Sequence, residues 1–239
     1  MNKKAIIIGA TSGIGRELAK LFVEEGYFVG ITGRRSDLLK SLKNENPDRY
    51  FIKLIDVTKT SIISDQLNEL VHELGDLEIL VICAGSGDLN KNLDFEIEKD
   101  SIETNVSGFT AVADWAYNFF EKRKEGHLVA ISSIAGLRGS RHAPAYNASK
   151  SFQINYLEGL RQKADKLKQP IIITDIRPGF VNTAMAKGNG LFWVSTVEKA
   201  AKQIYKAIKK KKKIAYVTKR WITVALFLKI SPAWFYKKL

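Results

Sequence analysis

Gly9-Ala10-Thr11-Ser12-Gly13-Ile14-Gly15 is the stretch whose reading decides the fold. It follows the apolar run Lys4–Ile8 and leads into Ile14–Glu25, where apolar residues recur with helical spacing. A strand, a tight turn and a helix are expected in that order. Glycines let the backbone turn sharply and approach a ligand closely. The helix N-terminus then offers free N–H groups and a partial positive charge to a pyrophosphate. The spacing is GxxxGxG rather than GxGxxG, so the common dinucleotide fingerprint is not met letter for letter. An ordinary glycine-rich strand-to-helix turn is the alternative at this point.

Working outward, the same alternation continues. Tyr27–Thr32, Tyr50–Ile55, Leu77–Ile82, His127–Ser132 and Pro170–Ile176 are short runs rich in Ile, Val or Leu, and helical patterns such as Thr60–Leu74 lie between them. Strands that are apolar throughout are covered on both faces, as in a parallel sheet reached through helical crossovers. With Ile214–Val217 as a further strand, the pattern predicts a single doubly wound α/β sheet of about seven strands, Rossmann-like, with helices on both faces.

Bulk composition narrows the class. The chain has 239 residues, 45% hydrophobic and 26% charged, enough for one globular core. A single cysteine, Cys83, excludes an internal disulfide and fits a reducing cytoplasm. That cysteine and three histidines are too few to suggest a structural zinc site, and no metal is expected. The apolar stretch of the N-terminal MNKKAIIIGAT is too short for a signal peptide, so a cytoplasmic location is expected. The net charge is +13, and all of it belongs to the end of the chain. Residues 199–239 hold 13 Lys and Arg and no acid, whereas the preceding part is balanced.

The end of the second strand tests the nucleotide reading. An acid there would favour NAD, whereas Arg accommodates a 2′-phosphate. The chain reads Thr32-Gly33-Arg34-Arg35, with no acid until Asp37, which suits the start of a helix at Ser36. Arg34 and Arg35 point to NADP(H) over NAD(H). The alternative is two solvated surface arginines.

Tyr146 and Lys150 stand four apart in a predicted helix beginning near Pro144, on one helical face where the ammonium can lie near the phenol. A cation there stabilises the phenolate and brings a group of reference pKa ~10 toward neutrality. Such a pair suits protonation of an alkoxide as hydride reaches a carbonyl carbon. YxxxK alone is a weak pattern, since Tyr205 and Lys209 match it as well. Context separates them. Ser133 lies 13 residues before Tyr146 at the end of a predicted strand, whereas Phe192 holds that place before Tyr205.

With these residues in view, the chain resembles the short-chain dehydrogenase/reductase family from about Lys3 to Val217. The motifs occur in family order: Gly9–Gly15, Asp56-Val57, Cys83-Ala84-Gly85, Asn105, Ser133 with Tyr146-x-x-x-Lys150, and Pro178-Gly179. The resemblance implies that Tyr146 is the general acid/base and that Lys150 lowers its pKa and holds the nicotinamide ribose. It implies that Ser133 bonds the substrate oxygen, that Asn105 positions a relay water, and that Ser132 is structural. Asp56 would contact the adenine, and Val57 its ring surroundings. Pro178, Gly179, Val181 and Thr183 would line the nicotinamide end. Gly9, Thr11, Ser12, Gly13, Ile14, Gly15, Cys83, Ala84 and Gly85 would complete the cofactor site. Two departures stand out: Ile8-Gly9 replaces the family's Thr-Gly, and Cys83 replaces an Asn that ties backbone segments together. Cys83 reads as a small packing residue rather than a reactive thiol.

Val181–Trp193, with Met185, Leu191, Phe192 and Trp193, would form a lid over an apolar substrate, or pack on the body. Residues 1–218 are read as the dinucleotide-binding catalytic domain and 219–239 as a basic, aromatic extension. This tail combines Lys219-Arg220-Trp221, the run Ile222–Leu228 and Ser231–Lys238, and is similar to extensions in some membrane-associated family members. A spanning helix needs ~20 apolar residues, more than are present. Peripheral contact with an anionic membrane and packing on the body or another subunit are both open, and nucleic acid is the weakest reading. The sequence therefore predicts an NADP(H)-dependent oxidoreductase acting on an apolar small-molecule carbonyl or alcohol substrate, and the resemblance implies a homo-dimer or tetramer through helices near Ile97–Phe120 and Tyr146–Leu167. Its rivals are an NADP(H)-binding sensor and a membrane-surface adaptor, both without turnover.

Overall fold

The computed structural model describes residues 3–186 and 192–236. Seven parallel strands form one sheet in the order β3-β2-β1-β4-β5-β6-β7. They are β1 (Lys4–Ile8), β2 (Phe28–Gly33), β3 (Tyr50–Leu54), β4 (Ile79–Ile82), β5 (Gly126–Ile131), β6 (Ile171–Pro178) and β7 (Ile214–Val217). The order runs outward from β1 in both directions, so the crevice between β1 and β4 is the topological switch point where such sheets place ligands.

Alternation along β1 shows how the sheet is sandwiched. Ala5 and Ile7 join one core with α1 (Gly13–Glu24), α2 (Ser36–Glu45) and α7 (Val197–Lys209). Ile6 and Ile8 join the other, with α3 (Ile63–Leu74), α5 (Phe109–Arg123) and α6 (Pro144–Leu167). Both faces of every central strand are buried, which is why these runs read as continuously apolar. Local signals start and stop the helices. Pro144 opens α6, the Thr196 side chain accepts from Lys199 N at the start of α7, and Gly75 closes α3 with φ 79°.

Several elements differ from their sequence reading, β4 among them, which starts at Ile79 rather than Leu77. Thr60–Ile62 is a separate 3-10 turn ahead of α3. β6 extends to Pro178 because Arg177 and Pro178 pair with Tyr216 and Val217 of β7. The helical stretch around Ile97–Phe120 is broken: α4 (Phe95–Ile102) passes through a π-helical segment, Glu103–Gly108, into α5. Such segments recur at functional sites, and this one carries Asn105.

The tail docks. Helix α8 (Trp221–Ile230) and a final turn, Ala233–Tyr236, pack beside β7 and the Ile134–Leu137 turn. Trp221 is 2% exposed and lies so close over Gly179 that a Cβ there would come within 2.1 Å of the indole. Arg138 donates to Ser231 O at 3.1 Å and caps the Tyr236 ring, whose hydroxyl donates to Gly139 O at 2.6 Å. The opposite side of α8, with Ile222, Leu226, Phe227 and Ile230, stays exposed, as does Trp234. Lys237 and Lys238 lie outside the described residues.

Candidate active site

A groove of about 1380 Å³ runs along the C-terminal ends of the strands. Every cofactor-binding residue inferred from sequence lines it, from the Gly9–Gly15 turn to Thr183, together with Ser133, Tyr146 and Lys150. Asn105 does not. It is fully buried one layer behind the wall, represented there by Thr104. A smaller hollow of about 480 Å³ adjoins the groove near Asp88, Glu96, Asp100 and Met185, but it does not contain the Ser–Tyr–Lys set.

The glycine turn lines the groove and leaves no room for side chains at Gly9 and Gly15. Gly9 sits at φ 90°, and a Cβ there would meet Ala84 N at 2.6 Å, so the β1 and β4 ends touch through bare backbone. Helix α1 then begins at Gly13 with its N-terminus toward the groove. Arg35, just beyond β2, bends back over this turn and donates to Thr11 Oγ1 at 2.6 Å and Ser12 Oγ at 2.7 Å. Arg34 lines the same lip. Asp56 is oriented by Thr58, whose backbone N–H and hydroxyl both donate to Oδ1. These are groups a pyrophosphate and an adenosine ribose would need, so the residues present fit a nicotinamide dinucleotide.

Cys83 lies where the groove floor meets β4, partly open to the groove. Its sulfur is sunk deeply enough that burial pushes the thiol up to about 12, against the Lys150 charge. It is therefore neutral near pH 7 and packs beneath the glycine turn.

At the other end of the groove, Ser133 caps the Ile134–Leu137 turn, accepting from Ala135 N at 3.0 Å, and its hydroxyl stands beside the Tyr146 phenol. Burial raises the phenol's pKa, and the Ser133 hydroxyl opposes the rise. Lys150 Nζ is 5.9 Å from the Tyr146 ring centre. The spacing in sequence suggested that the ammonium pairs with the phenol, but its hydrogen bonds go to Ile131 O and Gln153 Oε1, both at 3.0 Å. The physical reason is burial: a 4% exposed ammonium must satisfy its donors with the fixed acceptors around it. Burial pulls Lys150 down to about 8, while the Asp175 carboxylate pushes it up.

Neighbouring residues divide into support and coincidence. Ser132 is buried and bonds Asp175 and Ile176 O; Asp175 in turn accepts from Arg177 Nε at 2.7 Å. Tyr205 is a core residue, edge-on to Phe22 and bonded to Glu25 on the far side of α1, so the second YxxxK is not part of the groove. In the loop after β6, a bridge between Val181 and Ser195 returns the chain to the body. Met185 lines the groove, whereas Phe192 and Trp193 pack against Trp221. Leu191 lies outside the described residues. Among the described residues no group of three or more His, Cys, Asp or Glu could hold a metal ion.

Sequence reasoning missed three contributors. Leu228 and Tyr236 of the tail line the open end of the groove. Gln153 sits behind Lys150, and no sequence signal singled it out, since α6 also buries the polar Asn147, Ser149 and Arg161.

Comparison with known proteins agrees with this architecture. A family model for short chain dehydrogenases matches residues 3–191. An uncharacterized oxidoreductase of Myxococcus xanthus is 35% identical over 192 residues, covering 78% of this chain and 75% of that protein. A 3-oxoacyl-[acyl-carrier-protein] reductase of Chlamydia muridarum is 33% identical over 194 residues, covering 79% and 77%. The structure of ElxO with NADP bound superposes with a TM-score of 0.81 at 24% identity, over 93% of this chain and 100% of that one, which bears on the fold alone. This chain belongs to the short-chain dehydrogenase family.

Proposed function

We propose that the protein is an NADP(H)-dependent carbonyl reductase, or an alcohol dehydrogenase in reverse. The observation that carries this reading is the Ser133–Tyr146 hydroxyl pair facing the same groove as the glycine turn, with the Lys150 ammonium beneath. The nicotinamide, when bound, supplies or accepts the hydride. The chain's own groups do the rest. Ser133 and Tyr146 hydrogen-bond the substrate oxygen, and Tyr146 Oη passes its proton to that oxygen as negative charge develops on it. Burial keeps the phenol protonated near pH 7, which suits reduction. Lys150 would carry its positive charge 5.9 Å from the Tyr146 ring centre, and Asp175 with its partner Arg177 backs it from β6.

Arg34 and Arg35 support a preference for the 2′-phosphorylated cofactor. The NADP bound to ElxO is in keeping with it, and the name of the Chlamydia relative, a 3-oxoacyl-[acyl-carrier-protein] reductase, is in keeping with carbonyl reduction. We read the groove wall formed by Leu228 and Tyr236, continuous with the exposed side of α8, as the entrance for an apolar carbonyl compound at an anionic membrane surface. Among the described residues no helix is long and apolar enough to cross a membrane, so such contact would be peripheral.

Tyr146→Phe tests the central claim. Turnover with NADPH across a panel of ketones and aldehydes should fall by about a thousandfold or more, while NADPH binding stays within about twofold. A sensor would keep its function in this variant, and full turnover without the hydroxyl would end the assignment.

A further inference from the structure

Gln153 is 1% exposed and both halves of its amide are used. Nε2 donates to Asn105 O at 3.0 Å, and Oε1 accepts from Lys150 Nζ at 3.0 Å. The amide's orientation follows from its partners, since an ammonium has only donors and a carbonyl only lone pairs. Asn105 is itself immobilised: its side chain receives Ser86 N at 2.9 Å and donates to Ser86 O and to Ser149 Oγ. A continuous chain therefore runs from the π-helical segment through Gln153 to Lys150, and on to Ile131 O at the end of β5.

We infer that Gln153 is a positioning residue for the reaction: its amide clamps the Lys150 ammonium to the Asn105 turn and holds it charged, standing between the Asn105 carbonyl and Lys150. This rests on the carbonyl reductase reading for its consequence, but not for its geometry. A neutral amide passes no net proton without its costly imidic tautomer. The bridge therefore fixes the ammonium instead of draining it toward Asn105. It also supplies a neutral acceptor that favours the protonated amine.

The titratable and charged groups around Lys150 are few. Tyr146 lies on its own helix, Asp175 with Arg177 faces it from β6, and Cys83 from the end of β4; the π-helical segment offers only the neutral Asn105. None of these changes when residue 153 is substituted. Replacing the amide by a thioether of similar length removes the acceptor, and a carboxylate adds charge to it, so the two substitutions must move Lys150 in opposite directions.

The test uses the full chain labelled with 13C at lysine Cε. The Lys150 resonance is assigned by its loss in Lys150→Arg, and its titration midpoint is read without cofactor. Gln153→Met should lower the midpoint by about one pH unit and Gln153→Glu should raise it by about as much. With NADPH and a carbonyl substrate, the high-pH limb of kcat should move the same way in each variant. At pH 7.5, kcat of Gln153→Met should fall about threefold, with little change in substrate KM. A midpoint unchanged in both variants, or shifted in the same direction in both, overturns the inference. If Gln153→Met does not fold, Gln153→Glu decides alone: its midpoint rises or the inference fails. Absence of turnover in the unmodified protein would count against the reductase reading, while the lysine titration would still settle the role of Gln153.

Discussion

Arg35 is the single side chain on which the proposed cofactor preference can be tested. Its guanidinium crosses from the end of β2 to the Thr11 and Ser12 hydroxyls, so it is already oriented over the glycine turn. A 2′-phosphate at this lip would add charge-assisted hydrogen bonds worth about 1.5–3 kcal/mol, whereas a 2′-hydroxyl would gain little. Arg35→Ala should therefore weaken NADPH binding by about 10- to 100-fold and leave NADH within about threefold, as read by titration calorimetry with each cofactor. Equal losses for both would show that Arg35 only braces the turn. The groove itself was legible residue by residue, because Gly, Arg, Ser, Tyr and Lys at those spacings each carry a distinct chemical need. Gln153 was not, because its significance lies in two partners, Asn105 O and Lys150 Nζ, that only the packing of α6 on the π-helical segment brings together.

The tail presents the limits of pattern reading at the level of an element. Trp221–Ile230 is apolar around most of its circumference, so periodicity cannot say which side docks. The structure divides it: Trp221 and Ala225 are buried, Leu228 faces the groove, and Ile230 is 78% exposed. The strands had no such ambiguity, since each central run is covered on both faces. The π-helical break between α4 and α5 was illegible for the opposite reason, because no proline or glycine marks its start. If the exposed side of α8 meets lipid, Ile230 and Trp234, 78% and 67% exposed, insert first, with Lys219, Arg220 and Lys229 beside the headgroups. Burying an apolar side chain is worth about 1.5–3 kcal/mol. The double variant Ile230→Glu/Trp234→Glu should thus reduce co-sedimentation with phosphatidylglycerol vesicles at least tenfold or so, while leaving reduction of a water-soluble ketone intact. Vesicle binding that is absent in the parent protein, or unchanged in the variant, would restrict α8 to its role as a groove wall.

Across the whole molecule, charge and chemistry lie at opposite ends of the sheet. The groove occupies the C-terminal ends of the strands, whereas Lys209–Lys213 immediately precedes β7 at their N-terminal ends, where Lys213 pairs with Asp165. The five lysines thus do not reinforce the membrane-facing side of α8, and their nearest consequence is for stability. The Thr174 hydroxyl donates to Lys212 O at 2.6 Å and so must accept from His127 Nε2, 2.7 Å away, which assigns the neutral Nε2–H tautomer. Burial, with help from the Lys211 charge, lowers His127 to about 4 from 6.5. The unfolded chain then binds more protons than the folded one between these values, so stability is complete above pH 6.5 and is lost as pH falls toward 4. The full loss is on the order of 3 kcal/mol. His127→Gln can keep the hydrogen bond to Thr174 without a titrating group. Urea unfolding at pH 7.5 and 4.5 should show a drop in the parent protein larger by about 2 kcal/mol than in this variant, because the carboxylates that also protonate are common to both. Equal drops would mean that His127 is protonated in the folded protein and that the link between β5, β6 and the lysine run is not the acid-sensitive point.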